Sequence, residues 1–175
     1  MRQNRLFILT GPVHAGKTTF LQGFLEERKN AGLRLNGILS LAHFEGRTRL
    51  GYDALDLQTG ERFPLLRKFP DPGRTRVGPY VVVPEALVRA RSLVCNFQDS
   101  DLCVIDEMGP LELAGEGFWP CYIKLQEHRR PVLAVVRREL VRSFSQACAG
   151  SPMIFHLGEA DLDTRLRQAI TTILR

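Results

Sequence analysis

The sequence predicts an α/β protein: a mainly parallel sheet covered by helices on both faces, with an antiparallel β-meander inserted into it. Three observations predict it. Short, continuous apolar runs alternate with stretches of helical period, as buried parallel strands and their crossover helices do. Two of those runs end in residues fit for chemistry, Gly11 after the first and Asp106-Glu107 after the second. Between residues 37 and 66 the pattern shortens to strand-length segments divided by turn-forming triplets. With 44% hydrophobic and 25% charged residues over 175 positions, the chain reads as one globular domain, which excludes disorder, a collagen repeat and a disulfide-stapled miniature.

Residues 5–10, Arg-Leu-Phe-Ile-Leu-Thr, show no polar alternation, so their strand is buried on both faces and central in the sheet. Residues 18–30 follow as a helix with Phe20, Leu21, Phe24 and Leu25 on one face and Gly32 as its stop. Segments 37–41, 50–57 and 62–66 are the meander strands, separated by Glu45-Gly46-Arg47 and Gln58-Thr59-Gly60. Residues 69–80 contain Pro70, Pro72, Gly73, Gly78 and Pro79 and read as an irregular loop. Helical period returns over 84–97, with Pro84 suited to the first turn. Then come a buried strand at 102–105, a helix at 118–129, a buried strand at 131–136, a short helix at 139–147 and a fourth strand at 153–157. Asp161 is placed to cap a final helix that carries Leu162, Leu166, Ala169, Ile170 and Ile173 on one side.

Gly11-Pro12-Val13-His14-Ala15-Gly16-Lys17-Thr18 satisfies G-x-x-x-x-G-K-[ST], and it lies between a buried strand and an amphipathic helix, where that motif works. Its glycines let the backbone curl so that N–H groups converge on phosphate oxygens, and the following helix adds the positive end of its dipole. In this reading Lys17 reaches the β and γ phosphates, the Thr18 hydroxyl coordinates Mg²⁺ and Thr19 donates to the α phosphate. Leu102-Cys103-Val104-Ile105-Asp106-Glu107 is an apolar strand ending in two carboxylates. Asp106 would hold the metal through water, and Glu107 would orient and deprotonate a water for in-line attack. The motifs therefore predict a three-layer P-loop NTPase fold.

With both motifs placed, the chain resembles the nucleoside-triphosphatase family first described from thermophiles, also called the cancer-related nucleoside triphosphatases. The resemblance rests on Gly11 to Thr19, on Val104-Ile105-Asp106-Glu107-Met108-Gly109-Pro110-Leu111-Glu112-Leu113, on Gly51-Tyr52-Asp53-Ala54-Leu55-Asp56-Leu57 with Gly60, and on Val77-Gly78-Pro79-Tyr80-Val81-Val82. It implies a single RecA-like domain and magnesium-dependent hydrolysis of ATP, GTP and other triphosphates to diphosphate and phosphate, slow and with little base preference. Val13-His14-Ala15 departs from the family's smaller loop residues, so the His14 imidazole points either toward the phosphates or to solvent.

Secondary candidates surround these. Arg137 and Arg138 follow the third buried strand at its carboxyl edge, where an arginine finger or a surface ion pair would sit. Arg74 and Arg76 either close over the triphosphate or are solvated loop charges. Glu112 either orients the Glu107 loop or caps the next helix, and Tyr80 either stacks on a base or packs at the core edge.

The chain carries 24 basic and 19 acidic residues, net +5, which favours anionic partners. The whole surplus falls in residues 62–91, outside the phosphate motif, where it suits a lid, an acceptor site or a protein-docking face. That segment lacks the aromatic interleaving of a nucleic-acid surface, which argues against nucleic acid. Two other functions therefore stand beside hydrolysis: a small-molecule or nucleotide kinase, and a nucleotide-gated assembly or cofactor-loading factor. No apolar run approaches 18 residues, and Leu6 to Leu9 is too short for a signal core. Cys95, Cys103, Cys121 and Cys148 have no C-x-x-C pairing, so reduced thiols and a cytoplasmic location are expected.

Overall fold

The computed structural model describes residues 5–68, 75–148 and 150–175. In chain order the elements are β1 (Leu6–Gly11), α1 (Lys17–Asn30), β2 (Leu35–Glu45), β3 (Thr48–Asp56), β4 (Arg62–Arg67), β5 (Arg76–Val77) and β6 (Tyr80–Val82). They continue with α2 (Pro84–Cys95), β7 (Leu102–Met108), α3 (Pro110–Leu113), α4 (Trp119–Glu127), β8 (Val132–Arg137), α5 (Val141–Ala147), β9 (Met153–His156) and α6 (Leu162–Leu174).

Every residue of β1 is buried, and the reason lies in how the sheet is filled on both sides. Leu6 and Ile8 face a core shared with Ala90 and Val94 of α2, Tyr122 and Leu125 of α4, and Phe144 of α5. Phe7 and Leu9 face the opposite core with Leu21, Phe24 and Leu25 of α1 and Leu166 and Ile170 of α6. Alternate residues of one strand thus enter different layers, the period-2 rule applied to a strand without a solvent face. The nine strands run in the order β5-β6-β4-β3-β2-β7-β8-β1-β9. From β2 to β9 the pairing is parallel, and from β2 outward through β3, β4, β6 and β5 it is antiparallel. The expected three-layer α/β fold with an inserted meander is therefore present.

Several details differ from the sequence expectation. The meander is longer: β2 runs to Glu45, and residues 76–82 of the expected irregular loop form the hairpin β5–β6. Leu66 and Arg67 pair with Val82 and Val81, so two buried valines complete an edge and outweigh the flanking proline and glycine; residues 69–74 of that expected loop, Arg74 among them, lie outside the described residues. Helix α4 stops at Glu127, because Arg129 turns into the left-handed region at φ 53°. A 3₁₀ turn, Arg138–Leu140, occupies the start of the expected 139–147 helix, and the one-turn helix α3 was not foreseen. Asp161 does precede α6, but its backbone is left-handed, at φ 55°, and its side chain makes no capping hydrogen bond.

Candidate functional site

Three parallel strands deliver the site. β1 ends at Gly11 and hands over to α1 through a loop whose last residue, Gly16, has φ 91°, a conformation that side chains resist. His14 shares the left-handed region at φ 62°. The first-turn N–H groups of α1 have no acceptors inside their own helix, and Val13, Ala15, Gly16 and Thr19 are exposed above them. Lys17 is buried and folds back over the loop, its ammonium donating to the carbonyl oxygens of Gly11 (3.0 Å) and Pro12 (2.7 Å). Burial lowers its pKa from the ordinary lysine value, while Glu107 and Asp106 pull it upward.

β8 separates β1 from β7, so the carboxylates arrive from two strands away. Asp106 is 2% exposed, and its Oδ2 accepts from the Thr18 hydroxyl at 2.7 Å and from the Ser40 amide at 3.3 Å. The Ser40 hydroxyl donates to the Asp106 carbonyl oxygen. Burial pushes the Asp106 pKa up to about 7; the Thr18 hydrogen bond opposes the rise and Glu107 adds to it. The next peptide bond, Asp106–Glu107, is cis. Glu107 is half-buried, and its Oε1 accepts from Arg137 Nε at 2.8 Å and pairs with Nη2 at 2.8 Å.

Glu112 resolves the choice left open by the sequence, because it does both things. Its Oε2 accepts from the Gly109 amide at 2.6 Å, two residues beyond Glu107, and its Oε1 accepts from the amide of Phe118, the residue that precedes α4, at 2.9 Å. One buried carboxylate therefore fixes both ends of the turn that follows the acidic strand.

These groups line a cavity of about 760 Å³. Loop residues 13–19, Asp106, Glu107 and Arg137 contribute polar parts of the lining, and Leu65, Leu66, Val82, Leu87 and Phe118 contribute an apolar wall. Arg137 thus meets Glu107 within the site, whereas Arg138 is exposed in the 3₁₀ turn and does not line the cavity. Arg76 reaches the cavity from the β5–β6 hairpin, and Tyr80 packs edge-on against Tyr52 at 5.4 Å. His14 is exposed and is met at its Nδ1 by Arg49 Nη1, 3.0 Å away. Sequence reasoning missed Ser40, Arg49 and Tyr52. Ser40 carried a weak signal, a hydroxyl interrupting Ile38-Leu39-Ser40-Leu41, and Tyr52 lay in a segment that carries the family resemblance without being assigned a role; Arg49 carried none.

Three basic residues of the 62–91 window are spent on internal contacts. Arg67 pairs with Asp53 and donates to the carbonyls of Tyr52 and Leu66. Arg89 lies 4.3 Å over the Phe63 ring and pairs with Glu61, and Arg91 donates to the Gly117 carbonyl. All four cysteines are free thiols, no cluster of three or more His, Cys, Asp or Glu side chains among the described residues is arranged to hold a metal, and no described helix is long and apolar enough to cross a membrane.

A glycine loop passing from a central parallel strand into a helix, with a hydroxyl from that helix bonded to a buried strand-end aspartate, places the chain in the class of P-loop proteins. Comparison with known proteins narrows the class. The family described as NTPase matches residues 6–170. A nucleoside-triphosphatase THEP1 of Thermofilum pendens is 35% identical over 132 residues, 74% of this chain and 72% of that protein. A human cancer-related nucleoside triphosphatase, solved in solution, superposes with a TM-score of 0.72 at 26% identity over 97% of both chains. THEP1 of Aquifex aeolicus shares the fold at TM-score 0.63 and 20% identity, covering 97% of this chain and 99% of that one. The chain belongs to this NTPase family.

Proposed function

We propose that the chain hydrolyses nucleoside triphosphates, ATP and GTP among them, to diphosphate and phosphate in a magnesium-dependent reaction with little base preference. The observation that carries this reading is the Glu107 carboxylate facing the phosphate-loop cavity directly beside the Thr18–Asp106 pair. The loop amides of residues 13–16, together with Lys17, Thr18 and Thr19, hold the phosphates, while Pro12, which has no N–H, shapes the loop. Thr18 and Asp106 present hard oxygen donors, the chemistry Mg²⁺ prefers, and the lack of an all-protein cage among the described residues suits an ion completed by phosphate and water. Bound there, the ion would neutralise phosphate charge. Glu107 orients a water and takes its proton while the water oxygen bonds to the γ phosphorus and the bridging oxygen leaves on the β phosphate. Arg137 sets the position of Glu107, and Lys17 turns from the Gly11 and Pro12 carbonyls to the phosphates. Slow turnover is in keeping with those internal engagements, since both groups must first be released. A single domain working in the cytoplasm completes the proposal.

The test is phosphate release from ATP, GTP, CTP and UTP with and without Mg²⁺, in the wild type and in Glu107→Gln. We expect release from all four only with Mg²⁺, and a fall of about 100-fold or more in the variant with nucleotide binding retained. Unchanged turnover in Glu107→Gln removes the base assignment.

A second reading is favoured by the apolar wall. Water needs no such surface, whereas an organic acceptor hydroxyl does, and transfer to it would make the chain a kinase. ATP consumption stimulated by an added metabolite, with phosphate appearing on it, selects that reading. Turnover accelerated only by a protein docked on residues 62–91 would instead select a nucleotide-gated assembly factor.

A further inference from the structure

The hairpin β2–β3 carries a guanidinium onto the phosphate loop. Arg49, the second residue of β3, donates from Nη1 to His14 Nδ1 at 3.0 Å and to the Tyr52 hydroxyl at 3.2 Å. Its guanidinium carbon lies 5.2 Å from the Phe44 ring centroid and 5.6 Å from that of Tyr52, so two aromatic rings fix its orientation. Only Nη1 is used: Nε is buried without an acceptor, and Nη2 has none among the described residues.

The unused Nε–Nη2 edge is the one with which arginine clamps an oxyanion. This chain uses it that way twice, Arg137 on Glu107 and Arg34 on Asp101. At Arg49 the acceptor is missing, although a desolvated donor strongly favours having one. An arginine has only donors, so the His14 contact uses a neutral ring nitrogen, a weaker acceptor than an ionised phosphoryl oxygen. Of the other arginines considered, Arg137 is committed to Glu107, Arg138 lies off the cavity, and Arg76 is exposed without a link to the loop. Among these described arginines, Arg49 alone is tied to the loop while keeping its clamping edge free. It also arrives from the strand beside β2, whose Ser40 touches Asp106, and hence on the side where the terminal phosphate belongs.

We propose that Arg49 is a catalytic residue supplied from within the chain: on nucleotide binding it leaves His14 and closes its Nε–Nη2 edge on the terminal phosphoryl oxygens, neutralising charge as the phosphoryl group departs. His14 is the partner it gives up in closing. The inference rests on the hydrolase reading above, and its test separates the two.

Turnover of Mg-ATP and the affinities for ATP and ADP are measured for the wild type, Arg49→Ala, Arg49→Lys and Arg47→Ala, a solvent-exposed neighbour on the same turn. Arg49→Ala is expected to lower turnover about 100- to 1,000-fold, to weaken ATP about tenfold and to leave ADP affinity unchanged. Arg49→Lys, with the charge but not the fork, recovers only part of the rate, and Arg47→Ala stays within twofold. The inference is overturned if Arg49→Ala keeps turnover and ATP-over-ADP preference within twofold, if ATP and ADP weaken equally, or if Arg47→Ala matches Arg49→Ala. A wild type that binds nucleotide without releasing phosphate sinks the hydrolase reading, and the ATP-to-ADP ratio still reads Arg49.

Discussion

Removing the Glu112 carboxylate should loosen the turn that follows the acidic strand, and the cost can be worked from its two bonds. Glu112 is 5% exposed and accepts from two buried amides, Gly109 and Phe118. Each buried N–H left without an acceptor costs about 1–3 kcal/mol, so Glu112→Ala should lose about 2–6 kcal/mol. Against a total of about 5–15 kcal/mol this is a large fraction, equivalent to a drop of roughly 5–20 °C in Tm for a chain of this size. Glu112→Gln keeps one carbonyl oxygen and should lose about half as much. Burial raises the Glu112 pKa despite both amide bonds. A carboxyl whose folded pKa is raised contributes stability that is complete below the ordinary value of about 4.3 and declines as pH rises through the folded value. The advantage of the wild type over Glu112→Gln should therefore be greatest at the acid end and narrow with rising pH. Urea unfolding across that range is the assay. An Ala variant within 1 kcal/mol of the wild type, or a gap that widens with pH, would refute the reasoning. Gly117→Ala gives an independent check: at φ 53° a Cβ there would collide with Glu112 Oε1, so it should destabilise by displacing the same carboxylate.

Two further outcomes follow from the described contacts. Asp161→Gly should stabilise by about 0.5–1 kcal/mol in thermal unfolding, since the left-handed backbone strains an aspartate whose side chain gains no capping bond. Arg62→Ala combined with Lys68→Ala should leave ATP affinity within twofold in a binding titration, because neither residue lines the cavity; a tenfold loss would bring that part of the basic segment into the nucleotide site.

The parts legible in the sequence are those whose chemistry is local in the chain. Gly11 to Thr19 is one continuous motif, and Asp106 with Glu107 ends one apolar run. What pairs across the sheet left no such trace. Thr18 and Asp106 stand 88 residues apart, Glu107 and Arg137 30 apart, and His14 and Arg49 35 apart. Each meeting depends on strand order and register, which hydrophobic period does not encode. Arg137 was picked out by its place at a strand end, but its commitment to Glu107 follows from β7 and β8 being neighbours. The β5–β6 hairpin was hidden by its own turn residues. Asp161 shows the opposite failure: residue type suggested a cap, and backbone conformation denied it.

Strand β2 changes partners partway along its length. Leu35 to Ile38 pair with β7, and Ile38 to Glu45 pair with β3, so one member of about 30 Å belongs to both halves of the sheet. Ser40, just past the handover, touches Asp106, and the far end carries the turn that brings in Arg49. The strand is thus tied to Asp106 through Ser40 near its middle, while its free end leads into the turn before Arg49, which meets His14 of the phosphate loop. A reporter dye at Arg47, on that free end, would then signal ligand occupancy from outside the cavity, giving the protein a built-in handle for use as a nucleotide sensor.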